Sequence, residues 1–131
     1  MQGIYVLIIR VSDNIHLTIG AIGEIEFPRG VYAYVGSAQN NLESRIKRHV
    51  SKKKRVFWHI DYLLSNKAAD VTEVYCIGGG REKECEIARL LEVNAKPVDG
   101  FGCSDCRCRS HLFQGQDLFS WVAFTVIDGL L

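Results

Sequence analysis

The chain has 131 residues, of which 47% are apolar and 24% charged, with only two prolines. These values exclude extended disorder and predict one domain spanning residues 1–131. No apolar run approaches the ~20 residues of a membrane span, and the start MQGIYVLIIR lacks the basic region and small-residue cleavage site of a signal peptide, which predicts a cytoplasmic protein. The formal net charge is only +1, yet seven of the 16 Lys and Arg fall between Arg45 and Arg55 with no acid among them.

Gly3–Val11 (GIYVLIIRV) is rich in β-branched and aromatic residues and ends at the turn signal Ser12-Asp13-Asn14. Ile15–Ile19 alternates with the period of a half-buried strand, so a hairpin with the first strand is expected. Glu24–Phe27 is a further short strand, and Pro28-Arg29-Gly30 turns into the strand Val31–Val35, which Gly36 and Ser37 are expected to end. Asn40 or Asn41 can cap a helix from Leu42, its apolar stripe Leu42, Ile46 and Val50 flanked by Arg45, Arg48 and His49. Ser51–Arg55 (SKKKR) breaks the period, and Phe57–Leu64 resumes it with Phe57, Ile60 and Leu64 on one face. Val71–Ile77 is the next strand, ended by Gly78-Gly79-Gly80, and Arg81–Glu92 is a helix through Cys85, Ala88 and Leu91. Asn94–Arg109 has no period and is long enough for a functional loop. Ser110–Phe113 and Trp121–Ile127 close the chain as strands. The fold class is therefore mixed α/β (α+β), with no internal repeat.

Tyr5 and Tyr34, on strands, can present two hydroxyls on one face, or can be ordinary strand aromatics. Arg45, Arg48 and His49 bring cations suited to a phosphodiester, because guanidinium pairs bidentately with phosphate oxygens. Lys52, Lys53, Lys54 and Arg55 extend that positive surface as a backbone track for nucleic acid, or form a solvated charged loop. His59 is a general base, a phosphate ligand or a helix-surface residue, beside Trp58 and Asp61. Glu86 can hold a hard divalent cation, with Glu82, Glu84 and Glu92 competing on the same helix.

Five cysteines are an odd number. Cys76 and Cys85 lie in periodic segments and are expected to be buried as small hydrophobes. Cys103, Cys106, Cys108 and His111 have the ligand types of tetrahedral zinc, but C-x2-C-x-C-x2-H is compressed for such a site, and a reduced, partly buried loop is the preferred reading.

In their order, Gly3-Ile4-Tyr5, Tyr34-Val35-Gly36, Arg45 and a later glutamate resemble the GIY-YIG nuclease family. The segments EFPRGVYAYVGSA, FWHIDYLL and GFGCSDCRCRSHLF resemble its archaeal and bacterial branch known as domain of unknown function 123, over almost the full length. The resemblance implies a small α/β domain around a three-stranded antiparallel sheet flanked by helices. It also implies an endonuclease that cleaves DNA through one Mg²⁺ or Mn²⁺, in DNA repair; in this branch the domain can be fused to an endonuclease III-type enzyme. Carried over by position, Tyr5 and Tyr34 are the motif tyrosines, one of them activating water as general base or by hydrogen bonding. Arg45 stabilises charge on the phosphate, Glu86 holds the metal, and His49 and His59 support them. Extra strands between Ile15 and Phe27 lengthen the tyrosine separation, which leaves a non-catalytic nucleic-acid-binding module, supporting a repair partner, as the alternative.

Overall fold

The computed structural model describes residues 3–52, 55–56, 58–102 and 108–115. Strands β1 (Gly3–Val11), β4 (Gly30–Ala38), β5 (Ala69–Ile77), β6 (Lys96–Pro97) and β7 (Leu112–Gln114) form one sheet in the order β5-β1-β4-β7-β6, every pairing antiparallel. Strands β2 (Ile15–Ile19) and β3 (Gly23–Phe27) form a separate two-stranded sheet. Helices α1 (Leu42–Val50), α2 (His59–Leu64) and α3 (Arg81–Asn94) complete the described elements. The mixed α/β class is as expected, with a sheet wider than three strands. The expected strand Trp121–Ile127 lies outside the described residues.

The apolar run of β1 has its physical reason in the sheet. A strand covered on both faces reads as a nearly continuous hydrophobic segment rather than an alternating one, and β1 is buried at every position but Arg10. Tyr5, Leu7, Ile9 and Val11 join Tyr32 and Tyr34 in a cluster with residues of α1, α2 and the β2–β3 pair. Ile4, Val6 and Ile8 face the other way, against Ile87, Ala88 and Leu91 of α3 and against Phe113.

The expected hairpin of β1 with β2 does not form, because both edges of β1 are already hydrogen-bonded, to β4 and to β5. β2 pairs with β3 instead, through a turn that puts Gly20 at φ 44° and Gly23 at φ 91°, values at which side chains are strained. This hairpin leaves β1 at Val11 and returns to β4 at Gly30, which are paired partners at one end of the strands. Tyr5 and Gly36 pair near the other end, so the insertion separates the two tyrosines in sequence and not in space.

Strand β4 continues through Gly36 and Ser37 to Ala38 rather than ending at Gly36. A Cβ at Gly36 would stand 2.4 Å from the Tyr5 ring, so the glycine makes room for that ring. The stripe of α1 also differs: Leu42 and His49 are buried, Ile46 is partly buried, and Val50 is 54% exposed. Asn41 caps this helix, its side chain accepting from Ser44 N–H at 3.2 Å. Cys76 is exposed and Cys85 only partly buried. The first accompanies its place on β5, an edge strand of the sheet with a hydrogen-bonded neighbour, β1, on one side.

Candidate functional site

Tyr5 on β1 and Tyr34 on β4 point from neighbouring strands to one face, their ring centroids 6.5 Å apart. They line a cleft of about 450 Å³ with Gly36, Ser37, Gln39, Asn40, Arg45, Trp58, His59, Arg81, Glu84 and Gly102. Neither tyrosine is an ordinary surface aromatic, for both rings are buried.

The Tyr5 hydroxyl meets Nε2 of the buried His49 at 2.7 Å. Burial pushes the Tyr5 phenol up to about 12, with the neighbouring Arg45 guanidinium pulling the other way. Burial also holds Tyr34 well above its ordinary range, helped by the adjacent Tyr5 and by the charge of Glu84. Both phenols are therefore neutral near pH 7, and neither is a base by losing its own proton to bulk water. A neutral tyrosine that donates to histidine still offers an oxygen lone pair to a bound water.

Arg45 is fixed from two sides. Its guanidinium lies 4.4 Å from the centre of the Trp58 ring and donates from Nη1 to the Ser37 carbonyl at 3.0 Å. Arg48 lies 4.5 Å from the same ring centre. It makes a bidentate pair with the fully buried Asp61, Nη1 to Oδ1 at 2.8 Å and Nη2 to Oδ2 at 2.9 Å. Asp61 Oδ2 also accepts the Trp58 backbone N–H at 2.8 Å, so one carboxylate anchors the start of α2 and the Arg48–Trp58 stack.

His59 Nδ1 accepts the N–H of Gly102 at 2.9 Å, which leaves the proton of the neutral ring on Nε2. Desolvation lowers the His59 pKa and favours that neutral form. His59 thus suits donation toward the cleft better than proton abstraction. Gly102 has φ 76°, and a Cβ there would crowd His111 and Tyr34 at 3.2 and 3.4 Å, so the long loop contributes a close backbone approach.

Of the acids on α3, Glu84 lines the cleft. Its Oε1 accepts from Ser37 Oγ at 3.2 Å, and its Oε2 stands 3.5 Å from Nδ1 of the buried His111. Glu86 is exposed and pairs with Lys83 at 3.5 Å, away from the cleft. The signal was present in the sequence: Ile87, Ala88 and Leu91 form the buried face of α3, and Glu84 precedes them by three, four and seven residues on that same face. Arg81 and Trp58 are further cleft residues to which sequence reasoning gave no role.

The basic run divides. Lys52 Nζ donates to the carbonyls of Leu64 (3.1 Å), Asn66 (2.9 Å) and Ala69 and pairs with Asp70 at 3.5 Å, so it ties the end of α2 to β5. Arg48 is engaged by Asp61 as described, which takes two of the five cations expected on a phosphate track into the protein's own contacts. Arg55 is exposed, its carbonyl accepting from Arg48 Nη2 at 2.8 Å. Lys53 and Lys54 lie outside the described residues, as do Cys103 and Cys106. Cys108 and His111 are joined by Cys85 of α3, with one ligand atom from each residue within 4.8 Å of the others.

Among the described residues, no helix is long and apolar enough to cross a membrane. No curated protein and no solved structure matches the chain. The sequence profile of the family described as Domain of unknown function DUF123 matches residues 4–126, and the chain belongs to that family.

Proposed function

We propose that this DUF123 chain is a metal-dependent endonuclease that hydrolyses DNA phosphodiester bonds at the Tyr5–Tyr34 cleft, in the manner of the GIY-YIG nucleases it resembles, and that it serves DNA repair. The observation that carries the reading is the convergence on one cleft of Tyr5, Tyr34, Arg45, His59 and Glu84, each from a different strand or helix. Five elements separated in sequence supply a cleft of about 450 Å³ with two hydroxyls, a guanidinium, an imidazole and a carboxylate, a set suited to phosphodiester hydrolysis.

Glu84 replaces Glu86 in the carboxylate role, since it is the glutamate on the cleft. A hard cation takes a carboxylate oxygen with waters and phosphate oxygens, and Glu84, the acid among the described residues of the cleft, would hold Mg²⁺ or Mn²⁺ in that way. The cation, when bound, polarises the phosphate and stabilises the departing oxygen.

The chain's own residues account for the rest. Tyr5 accepts a proton from the attacking water as its own proton passes to His49 Nε2, 2.7 Å away, so no free phenolate has to form in a buried site. The Tyr34 hydroxyl orients that water. Arg45, braced by Trp58 and Ser37, binds a non-bridging phosphate oxygen without reorganising as charge develops. Arg81 on the cleft rim neutralises phosphate charge, and His59 donates its Nε2 proton to a phosphate oxygen in hydrogen bonding.

The test is conversion of supercoiled plasmid to nicked circle, and of branched duplexes to shorter strands, with Mg²⁺ or Mn²⁺. Wild type is expected to nick, and Tyr34→Phe and Arg45→Ala to lose at least ~100-fold in rate. A protein that binds DNA but cuts no form with either metal overturns the reading in favour of a binding module, as do variants that cut like wild type.

A further inference from the structure

Cys85, Cys108 and His111 belong to no step of the proposed hydrolysis, yet they meet from two distant parts of the chain. Cys85 lies in α3, whereas Cys108 and His111 come from the end of the long loop that leads into β7. One ligand atom from each residue lies within 4.8 Å of the other two. His111 is 2% exposed, and Cys108 packs against the cluster that contains Val35, Ala88 and Phe113.

We propose that these three residues form a zinc site that fastens the loop before β7 to α3. The donor set decides the metal class. Two thiolates and an imidazole are soft to borderline ligands that suit Zn²⁺ and reject the hard cation assigned to Glu84. Zn–S distances of about 2.3 Å and Zn–N distances of about 2.0–2.1 Å place tetrahedral donors roughly 3.5–3.8 Å apart. The observed separations, all within 4.8 Å, exceed that range by no more than about 1.3 Å. On binding, each thiol releases a proton to solvent as its Zn–S bond forms, and the neutral imidazole donates a lone pair. The three described side chains leave a fourth position for water or another donor.

The surroundings match a metal ligand's needs. Glu84 Oε2 stands 3.5 Å from His111 Nδ1, and a carboxylate beside a ligating imidazole fixes the ring and raises its basicity. The His111 backbone is pinned on both sides, its N–H donating to Phe101 O at 2.8 Å and its carbonyl accepting from Val35 N–H at 2.9 Å. Glu84 therefore stands between the cleft and the zinc ligands, and zinc would hold the cleft's carboxylate wall in place. The inference stands on the ligand cluster and not on the nuclease reading.

The experiment is zinc analysis of the untagged full chain, purified under reducing conditions, supplied with Zn²⁺ and dialysed to remove loose metal. Wild type and Cys76→Ser are expected to retain roughly one zinc per chain, and Cys85→Ser, Cys108→Ser and His111→Gln to lose at least ~10-fold in zinc affinity. Co²⁺ loaded into wild type is expected to show a thiolate charge-transfer band that Cys85→Ser weakens. Stripping wild-type zinc with a chelator is expected to lower the unfolding temperature, a readout that needs no variant to fold. Wild type without zinc, full zinc in Cys85→Ser, or a Cys85–Cys108 disulfide in freshly reduced protein overturns the proposal.

Discussion

Tyr5 and His49, 44 positions apart in sequence, are joined at 2.7 Å between hydroxyl and Nε2 in a buried pocket beside the cleft. The contact resolves a conflict between burial and chemistry. A buried phenol held near 12 is too weak an acid to lose its proton to water at neutral pH. With His49 Nε2 as the acceptor, the same phenol can pass a proton through rather than give one up, which is the role the proposed hydrolysis assigns to it.

Tyr5→Phe keeps the buried ring and removes the relay. Its folded stability is expected to fall by about 1–3 kcal/mol by chemical denaturation, since the buried His49 Nε2 loses this hydroxyl, while DNA nicking falls to background. His49→Gln is expected to lose most activity as well, and the double variant to be no slower than the worse single one. Additive losses in the double variant would show that the two act independently.

Gly36→Ala probes the same pair through the backbone. The added Cβ would lie 2.4 Å from the Tyr5 ring, and the strand on either side cannot yield without breaking the β1–β4 ladder. The ring is expected to be displaced from His49, with nicking lost and thermal stability reduced. Tyr5→Phe combined with Gly36→Ala should show the same loss of stability, since the crowding atom is the ring and not the hydroxyl alone.

Arg48→Ala removes the ion-pair partner of a fully buried carboxylate, Asp61, while the Trp58 backbone N–H still donates to it. The cost is expected to be about 3–5 kcal/mol in urea unfolding. Lys52→Met, which releases the carbonyls of Leu64, Asn66 and Ala69 between the end of α2 and the start of β5, is expected to cost about 1–3 kcal/mol. In the salt dependence of DNA binding, Lys52→Met should leave the slope unchanged, because this ammonium is already engaged within the protein. A slope that falls by about one would return Lys52 to the phosphate track.

His59 sets a pH dependence. Its folded pKa is lowered from 6.5, so the unfolded chain binds the proton more tightly. The stability this residue contributes is present above pH 6.5 and is lost as pH falls through the lowered folded value. His59→Gln is expected to flatten the decline of the unfolding midpoint on the acid side of pH 6.5, with little change above it.

The strands were legible because their composition matches their burial. Gly3–Val11 and Ile15–Ile19 carry apolar runs and alternations whose bounds the structure repeats. Pairing was less legible, since which strand takes the edges of β1 is decided by long-range packing and not by the Ser12–Asn14 turn. The candidate site was legible in residue type and partly in position. Tyr5, Tyr34, Arg45 and His59 do meet at one cleft, but the glutamate carried over by position, Glu86, is exposed, and Glu84 lines the cleft. Counting back from Ile87, Ala88 and Leu91 selects Glu84. The double role of the basic run was invisible for a different reason: a lysine capping three carbonyls and a lysine facing solvent have the same sequence signature.

The most direct test of the central claim is the single-turnover cleavage rate of a labelled branched duplex in Mn²⁺, measured for wild type, Glu84→Gln and Glu86→Gln side by side. Catalysis at the Tyr5–Tyr34 cleft predicts cleavage by wild type and Glu86→Gln at similar rates, with none above background for Glu84→Gln. Equal rates for Glu84→Gln and wild type, or no cleavage by wild type, would contradict it.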